Sequence, residues 1–300
     1  MANFSGLFAT PVTAYDKNGN IDSEGIKRLV EFVSKNEIQN LFCLGSWGGF
    51  ALMDDNERKI AAKGYLDAAL DLNMPCIVNI ASTTPKKAID LAKHAQDNGA
   101  SAIASLVPYY YSNGYKEQNI ISYFDEIVSS VEIPVHFYNN PRTTGLNMTM
   151  PLFRRLIESG ISGMKEGGGN LTTFIEMMSY INKNNLDFDM IPGSVTMLPI
   201  GLLYGVQASM IGSAIIFPEL ASKTWKAWEE NNIDLFVECH MKLMQIRGIQ
   251  SDYGMSAATC YKLLELRQVS IGKPRSPWIG LDKNKEEQIQ SELRTLSLPI

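Results

Sequence analysis

Short apolar runs alternate with longer segments of helical period over most of the chain, which predicts an α/β fold, specifically a (β/α)8 TIM barrel with a C-terminal three-helix extension. Two further observations narrow the class. From residue 233 onward the strand signal stops and only helical period remains. The first strand-to-helix turn reads Ala9-Thr10-Pro11-Val12-Thr13, not the glycine-rich dinucleotide turn that an open doubly wound sheet carries there.

Taken in order, the strands are expected over residues 6–10, 40–44, 76–80, 102–106, 134–138, 162–165, 190–192 and 208–212, each followed by a helical stretch. Ile26, Leu29, Val30, Phe32 and Val33 mark one apolar helix face. Ala88, Ile89, Leu91, Ala92 and Ala95 mark another, and Leu152, Phe153, Leu156 and Ile157 a third. Asn98-Gly99 and Ser159-Gly160 stand where helices should stop. Met74-Pro75 and Ile133-Pro134 lead into strands, because the residue before proline disfavours the α region. Helical period then returns over 235–249, 257–266 and 285–296. With no Gly/Ser/Pro-rich linker before them, these segments are expected to pack as an extension, residues 233–300, on a barrel formed by residues 1–232.

A chain of 300 residues that is 45% hydrophobic and 20% charged can bury a full core. Its net charge of -5 and its lack of a basic block argue against nucleic acid as a partner. No stretch approaches the roughly 18 apolar residues of a membrane span. Residues 1–13 have no positive n-region and are broken by Pro11. Cys43, Cys76, Cys239 and Cys260 form no Cys-x-x-Cys pair, and only His94, His136 and His240 could join them, so no metal site is expected. Thiols set in apolar runs suit a reducing compartment, and the expected localisation is cytoplasmic.

The active site of such a barrel lies at the C-terminal strand ends. Those ends present Gly45-Ser46-Trp47-Gly48-Gly49, Pro108-Tyr109-Tyr110-Tyr111, Tyr138-Asn139-Asn140-Pro141, Lys165-Glu166-Gly167, Gly193-Ser194 and Ile211-Gly212-Ser213. A lysine in an apolar barrel mouth has its ammonium form disfavoured, which frees the amine to attack a carbonyl. The alternative is that Lys165 merely pairs with an acid at the rim. Tyr138 and Tyr110 can shuttle protons if a hydroxyl or amine stands against them, or they can be packing aromatics with wet hydroxyls. The amides of Gly45, Gly48, Gly49 and of residues 167–169 could cradle an anion, or the glycines could simply form tight turns.

As a set these residues resemble a known family. Thr10-Pro11 with Asp16-Lys17-Asn18-Gly19-Asn20-Ile21-Asp22, then Gly45-Ser46-x-Gly48, Pro108-Tyr109-Tyr110, Tyr138-Asn139-x-Pro141 and Gly163-Met164-Lys165-Glu166 are similar to the signature of the dihydrodipicolinate synthase and N-acetylneuraminate lyase family. The resemblance runs over nearly the whole chain. It implies a pyruvate-dependent lyase of the class I aldolase type, without metal or other cofactor, in which Lys165 forms the Schiff base. It further implies Tyr138 as the acid/base at the imine and Ser46 as the hydroxyl linking it to Tyr110 from a neighbouring subunit of a homotetramer or dimer. The Ser46 and Trp47 amides would hold the carboxylate, and Gly48, Thr143, Gly167, Gly193 and Ile211 would complete substrate binding. The partners are then a 2-oxo acid such as pyruvate and an aldehyde.

Departures from the family pattern bear on that aldehyde. Trp47 and Gly49 stand where the family usually has Thr and Glu, and the bulky aromatic at position 47 resembles the hydratase-aldolases of arylidene pyruvates. Thr143 replaces the arginine that dihydrodipicolinate synthases use for the aldehyde's carboxylate, with Arg142 one position earlier. Gly167, Val195 and Thr196 replace the threonine and acidic pair with which sialic acid lyases bind sugar hydroxyls. A dihydrodipicolinate synthase, a dehydratase using the same lysine and a non-catalytic 2-oxo-acid-binding relative remain the alternatives.

Overall fold

The computed structural model describes residues 4–299; the expected barrel and extension begin at residue 1 and end at residue 300, and residues 1–3 and 300 lie outside the described residues. The strands are β1 (Gly6–Ala9), β2 (Asn40–Cys43), β3 (Cys76–Asn79), β4 (Ala102–Ser105), β5 (Val135–Asn139), β6 (Gly163–Glu166), β7 (Asp189–Pro192) and β8 (Ala208–Met210). They form one eight-stranded sheet in the order β7-β6-β5-β4-β3-β2-β1-β8, the strand order of a (β/α)8 barrel. The described pairings are parallel. The chain divides into two compact units, one of Met1–Gly6 and Pro75–Met210, the other of Leu7–Met74 and Ile211–Ile300.

Local chemistry sets the element ends. Gly99 and Gly160 take φ of 86° and 90° just past helices Pro85–Asp97 and Met150–Glu158, a conformation that costs glycine nothing. The helix Asp55–Asp71 opens on a capping box, with the Asp54 carboxylate accepting from Glu57 N at 2.8 Å and Glu57 accepting from Asp54 N at 3.1 Å. After the eighth strand come helices Pro218–Glu229, Ile233–Asp252, Ser256–Leu266 and Lys283–Thr295. All four cysteines are buried free thiols. Among the described residues no helix is long and apolar enough to cross a membrane.

In the first unit the register of β5 and β6 positions the chemistry. Tyr138 is the partner of Lys165, and His136 the partner of Gly163. Side chains of registered parallel partners share a face, and residues two apart on a strand share it too. His136, Tyr138 and Lys165 therefore line one face, with Phe137 and Met164 on the other, where Phe124 packs 5.1 Å from the Phe137 ring centroid. Gly163 has no side chain because the His136 ring occupies its space: a Cβ there would lie 2.5–2.7 Å from three ring atoms. His136 is itself buried, with the Phe4 ring edge-on at 5.8 Å and Asp189 Oδ2 3.4 Å from its Nε2.

Substituting Gly163→Ala must displace that buried ring. Overpacking of this kind costs about 1–3 kcal/mol. The expected result is a lower urea midpoint with an unchanged m value; an unchanged midpoint would mean that the ring moves aside freely.

Candidate active site

Lys165 closes β6 and is only 6% exposed. Its Nζ lies 4.3 Å from the centroid of the Tyr138 ring, the geometry that the β5–β6 register creates. Burial lowers the lysine pKa from its ordinary value, and the Tyr138 side chain, which hydrogen-bonds the amine, offsets part of that effect. Burial and the Tyr138 side chain are what shift this amine, and no carboxylate is among the causes. Tyr138 is buried, and Asn140 Nδ2 donates to its hydroxyl at 3.4 Å.

Two glycines keep space around this pair. A Cβ at Gly193 would lie 3.3 Å from Lys165 Cε and 3.0 Å from the Glu166 carbonyl oxygen. One at Gly167 would lie 2.8 Å from the Asn139 carbonyl and 3.8 Å from Tyr138 Cε2. The loop after Lys165 is held from within. Glu166, buried beside the lysine, accepts from Asn139 Nδ2 at 2.6 Å, from Gly168 N at 2.5 Å and from Gly169 N at 3.2 Å. Gly167 N donates to Asn139 O at 2.9 Å. Of the two readings of residues 167–169, the geometry fits the turn: their amides donate to Asn139 and to the protein's own carboxylate. Burial raises the Glu166 pKa, and the hydrogen bonds it accepts counter that rise.

In the second unit, Ser46 and Trp47 are half-buried and Gly48 is buried. The Thr13 hydroxyl donates to Gly48 O at 2.7 Å. Gly49 N donates to Ser46 O at 3.3 Å, so this amide too serves the turn. The Trp47 ring lies against Gly212, where a Cβ would lie 2.7 Å from its Cη2. The residue before Gly212, Ile211, is buried. Glycine at 212 thus accommodates the large ring at position 47.

Two further predicted residues are exposed. Tyr110 is 73% exposed, its ring edge-on to Tyr111 at 4.8 Å. Thr143 is exposed in the helix Pro141–Thr144, and its hydroxyl donates to Asn140 O at 3.1 Å. Glu166 and Asn139 were quoted in the motif without a role; the signal was a carboxylate followed directly by three glycines. Among the described residues no group of three His, Cys, Asp or Glu side chains could hold a metal ion.

Comparison with known proteins identifies the family. The sequence model of the Dihydrodipicolinate synthetase family matches residues 3–296. YagE of Escherichia coli K12, provisionally named a 2-dehydro-3-deoxy-D-gluconate aldolase, is 28% identical over 304 residues, covering 99% of this chain and 98% of YagE. The 4-hydroxy-tetrahydrodipicolinate synthase of Archaeoglobus fulgidus is 29% identical over 297 residues, covering 98% of this chain and 99% of its own. The crystal structure of YagE in complex with pyruvate superposes with a TM-score of 0.92 at 27% identity, over 99% of this chain and all 100% of that one. The N-acetylneuraminate lyase of Mycoplasma synoviae, at 24% identity and a TM-score of 0.85 over 99% of this chain and 98% of its own, shares the fold.

Replacing Glu166 by Gln puts an amide NH2 against either Asn139 or the glycine amides, leaving donors facing donors. The cost of such unsatisfied buried groups is about 1–3 kcal/mol. Because burial raises the Glu166 pKa above its unfolded value, this group's stabilising contribution is full at low pH. It is lost as pH rises from the ordinary glutamate range through the raised value. Glu166→Gln should remove that slope, as urea unfolding across pH will read; an unchanged slope contradicts the assignment.

Proposed function

The chain belongs to the dihydrodipicolinate synthetase family, and from that premise we propose that it is a class I aldolase-type lyase making or breaking the C–C bond of a 2-oxo acid through an imine on Lys165. The observation that carries the reading is the buried Lys165 amine against Tyr138, its pKa lowered by desolvation. The relative whose crystal structure holds pyruvate supports pyruvate as the oxo acid here.

The steps balance without an external redox partner. The neutral Lys165 amine attacks the C2 carbonyl of the 2-oxo acid, and loss of water leaves an iminium. In cleavage, Tyr138, its own proton passed along the path through Ser46 and Tyr110, takes the proton of the 4-hydroxyl as the C3–C4 bond breaks. The aldehyde departs, and the bonding pair passes into an enamine. Tyr138 returns that proton to C3, which gives the pyruvate imine, and water releases pyruvate and regenerates the amine. Synthesis runs the same path in reverse. Ser46 and Tyr110 extend the proton path in this proposal, Tyr110 from a second copy in a dimer or tetramer, and the Ser46 and Trp47 amides take the carboxylate. Gly48, Gly167, Gly193 and Ile211 shape the binding surface. We place the enzyme in the reducing cytoplasm, where its four buried thiols stay free.

For the second substrate we favour an aldehyde without the carboxylate or polyol of the two familiar cases. Thr143 is tied to Asn140, Arg142 is exposed, Val195 is buried and apolar, and Gly167 brings no hydroxyl. A dihydrodipicolinate synthase is the second reading, favoured by the Archaeoglobus relative's name and coverage.

Intact-mass analysis after incubation with pyruvate and borohydride tests the proposal. The wild type should gain one reduced pyruvate adduct and Lys165→Ala none; no gain in either overturns it. Tyr138→Phe should still take up the adduct while losing C–C bond turnover by about 10²–10⁴-fold, the usual worth of a positioned acid/base.

A further inference from the structure

Residues 267–281 follow the helix Ser256–Leu266 and have no part in the chemistry described above. Within the second unit they are nevertheless tied to the loop that carries Ser46 and Trp47. Arg275 Nη1 donates to Leu52 O at 3.0 Å and to Glu57 Oε2 at 2.8 Å. Its Nη2 donates to Gly19 O at 2.6 Å and to Glu57 Oε1 at 2.7 Å. The guanidinium lies 4.5 Å from the Tyr15 ring centroid. This planar fork, bidentate on a carboxylate and resting on an aromatic face, is an arrangement lysine cannot reproduce. It fastens the end of the short turn Phe50–Leu52 and the first turn of helix Asp55–Asp71, whose capping box shares Glu57.

Two more ties reach the loop itself. A Cβ on Gly49 would lie 3.2 Å from Trp278 Cη2, so the indole lies directly against this residue. The Tyr261 hydroxyl donates to Thr13 O at 2.7 Å, and the fully buried Thr13 donates its hydroxyl to Gly48 O at 2.7 Å. A line of hydrogen bonds thus runs from the C-terminal helix Ser256–Leu266 to the loop. The loop needs such support. Leu44 enters it at φ 56°, left-handed for a branched side chain, and Gly49 leaves it at φ 67°. Backbone in that region persists only where its surroundings over-determine it.

We infer that the helix Ser256–Leu266 and residues 267–281 after it set the geometry of the loop at residues 45–49, with Arg275 and Tyr261 as positioning residues that govern capture of the 2-oxo acid's carboxylate. The inference rests on the proposal above that this loop takes that carboxylate. It makes binding, not the lysine chemistry, sensitive to residues far along the sequence.

The test compares wild type, Arg275→Gln and Tyr261→Phe in the pyruvate and borohydride experiment at graded pyruvate concentrations. Half-saturating pyruvate should rise about tenfold in Arg275→Gln and several-fold in Tyr261→Phe, while the maximum adduct stays at one per chain. A role in stability alone would lower the melting temperature without moving half-saturation, and that outcome overturns the inference. Should Arg275→Gln fail to fold, Tyr261→Phe, which removes one oxygen, decides. Amide exchange over residues 44–53 reads the loop without substrate: at least tenfold faster exchange in the variants is expected, and unchanged exchange overturns the inference. A wild type that takes up no adduct but shows this exchange difference would sink the Lys165 reading and leave the anchoring of the loop standing.

Discussion

Withholding one primary amine from water is the constraint on which the proposed active site turns. An ammonium is costly to bury, so a lysine enclosed among apolar and aromatic groups gives up its proton more readily. Here the enclosure follows from strand register. Tyr138 and Lys165 face each other because β5 and β6 pair at that residue, and the ring lies 4.3 Å from the amine. The ring excludes water from one side of the amine, while the tyrosine hydroxyl keeps a proton carrier within reach of any atom attached to the nitrogen. In the function proposed above, one contact therefore serves nucleophile and acid/base together.

The surroundings of that pair are built by subtraction as much as by addition. Gly193 leaves the lysine stem room, and Gly163, one layer below, leaves room for the His136 ring. Glu166 provides the one buried carboxylate next to the lysine on β6, and it is turned toward Asn139 and the glycine amides. A carboxylate directed at the amine would hold it as an ammonium. Directing it into the loop stiffens the chain after Lys165 and leaves the amine's environment aromatic.

Much of this was legible in the sequence. The eight strands fall within one or two residues of their expected positions, because apolar runs bounded by glycine and X-Pro signals have little alternative in a parallel sheet. Lys165 stood out as a single cation closing such a run. The occupancy of the 167–169 amides was hidden, since a glycine cluster reads alike whether its amides face a ligand or a neighbouring side chain. The fit of Trp47 onto Gly212 and the fork of Arg275 onto Glu57 were hidden for another reason: each joins residues remote in sequence. The exposure of Tyr110 depends on how its loop folds, which no local period encodes.

The pH dependence of imine formation tests the central claim most directly. Single-turnover trapping of pyruvate followed across pH reports the fraction of neutral Lys165 amine. Desolvation places the midpoint below the ordinary lysine value of 10.5. Because Tyr138 raises the lysine pKa against that effect, Tyr138→Phe should move the midpoint lower still. A wild-type midpoint at or above the ordinary value, or an upward shift in Tyr138→Phe, would contradict the account.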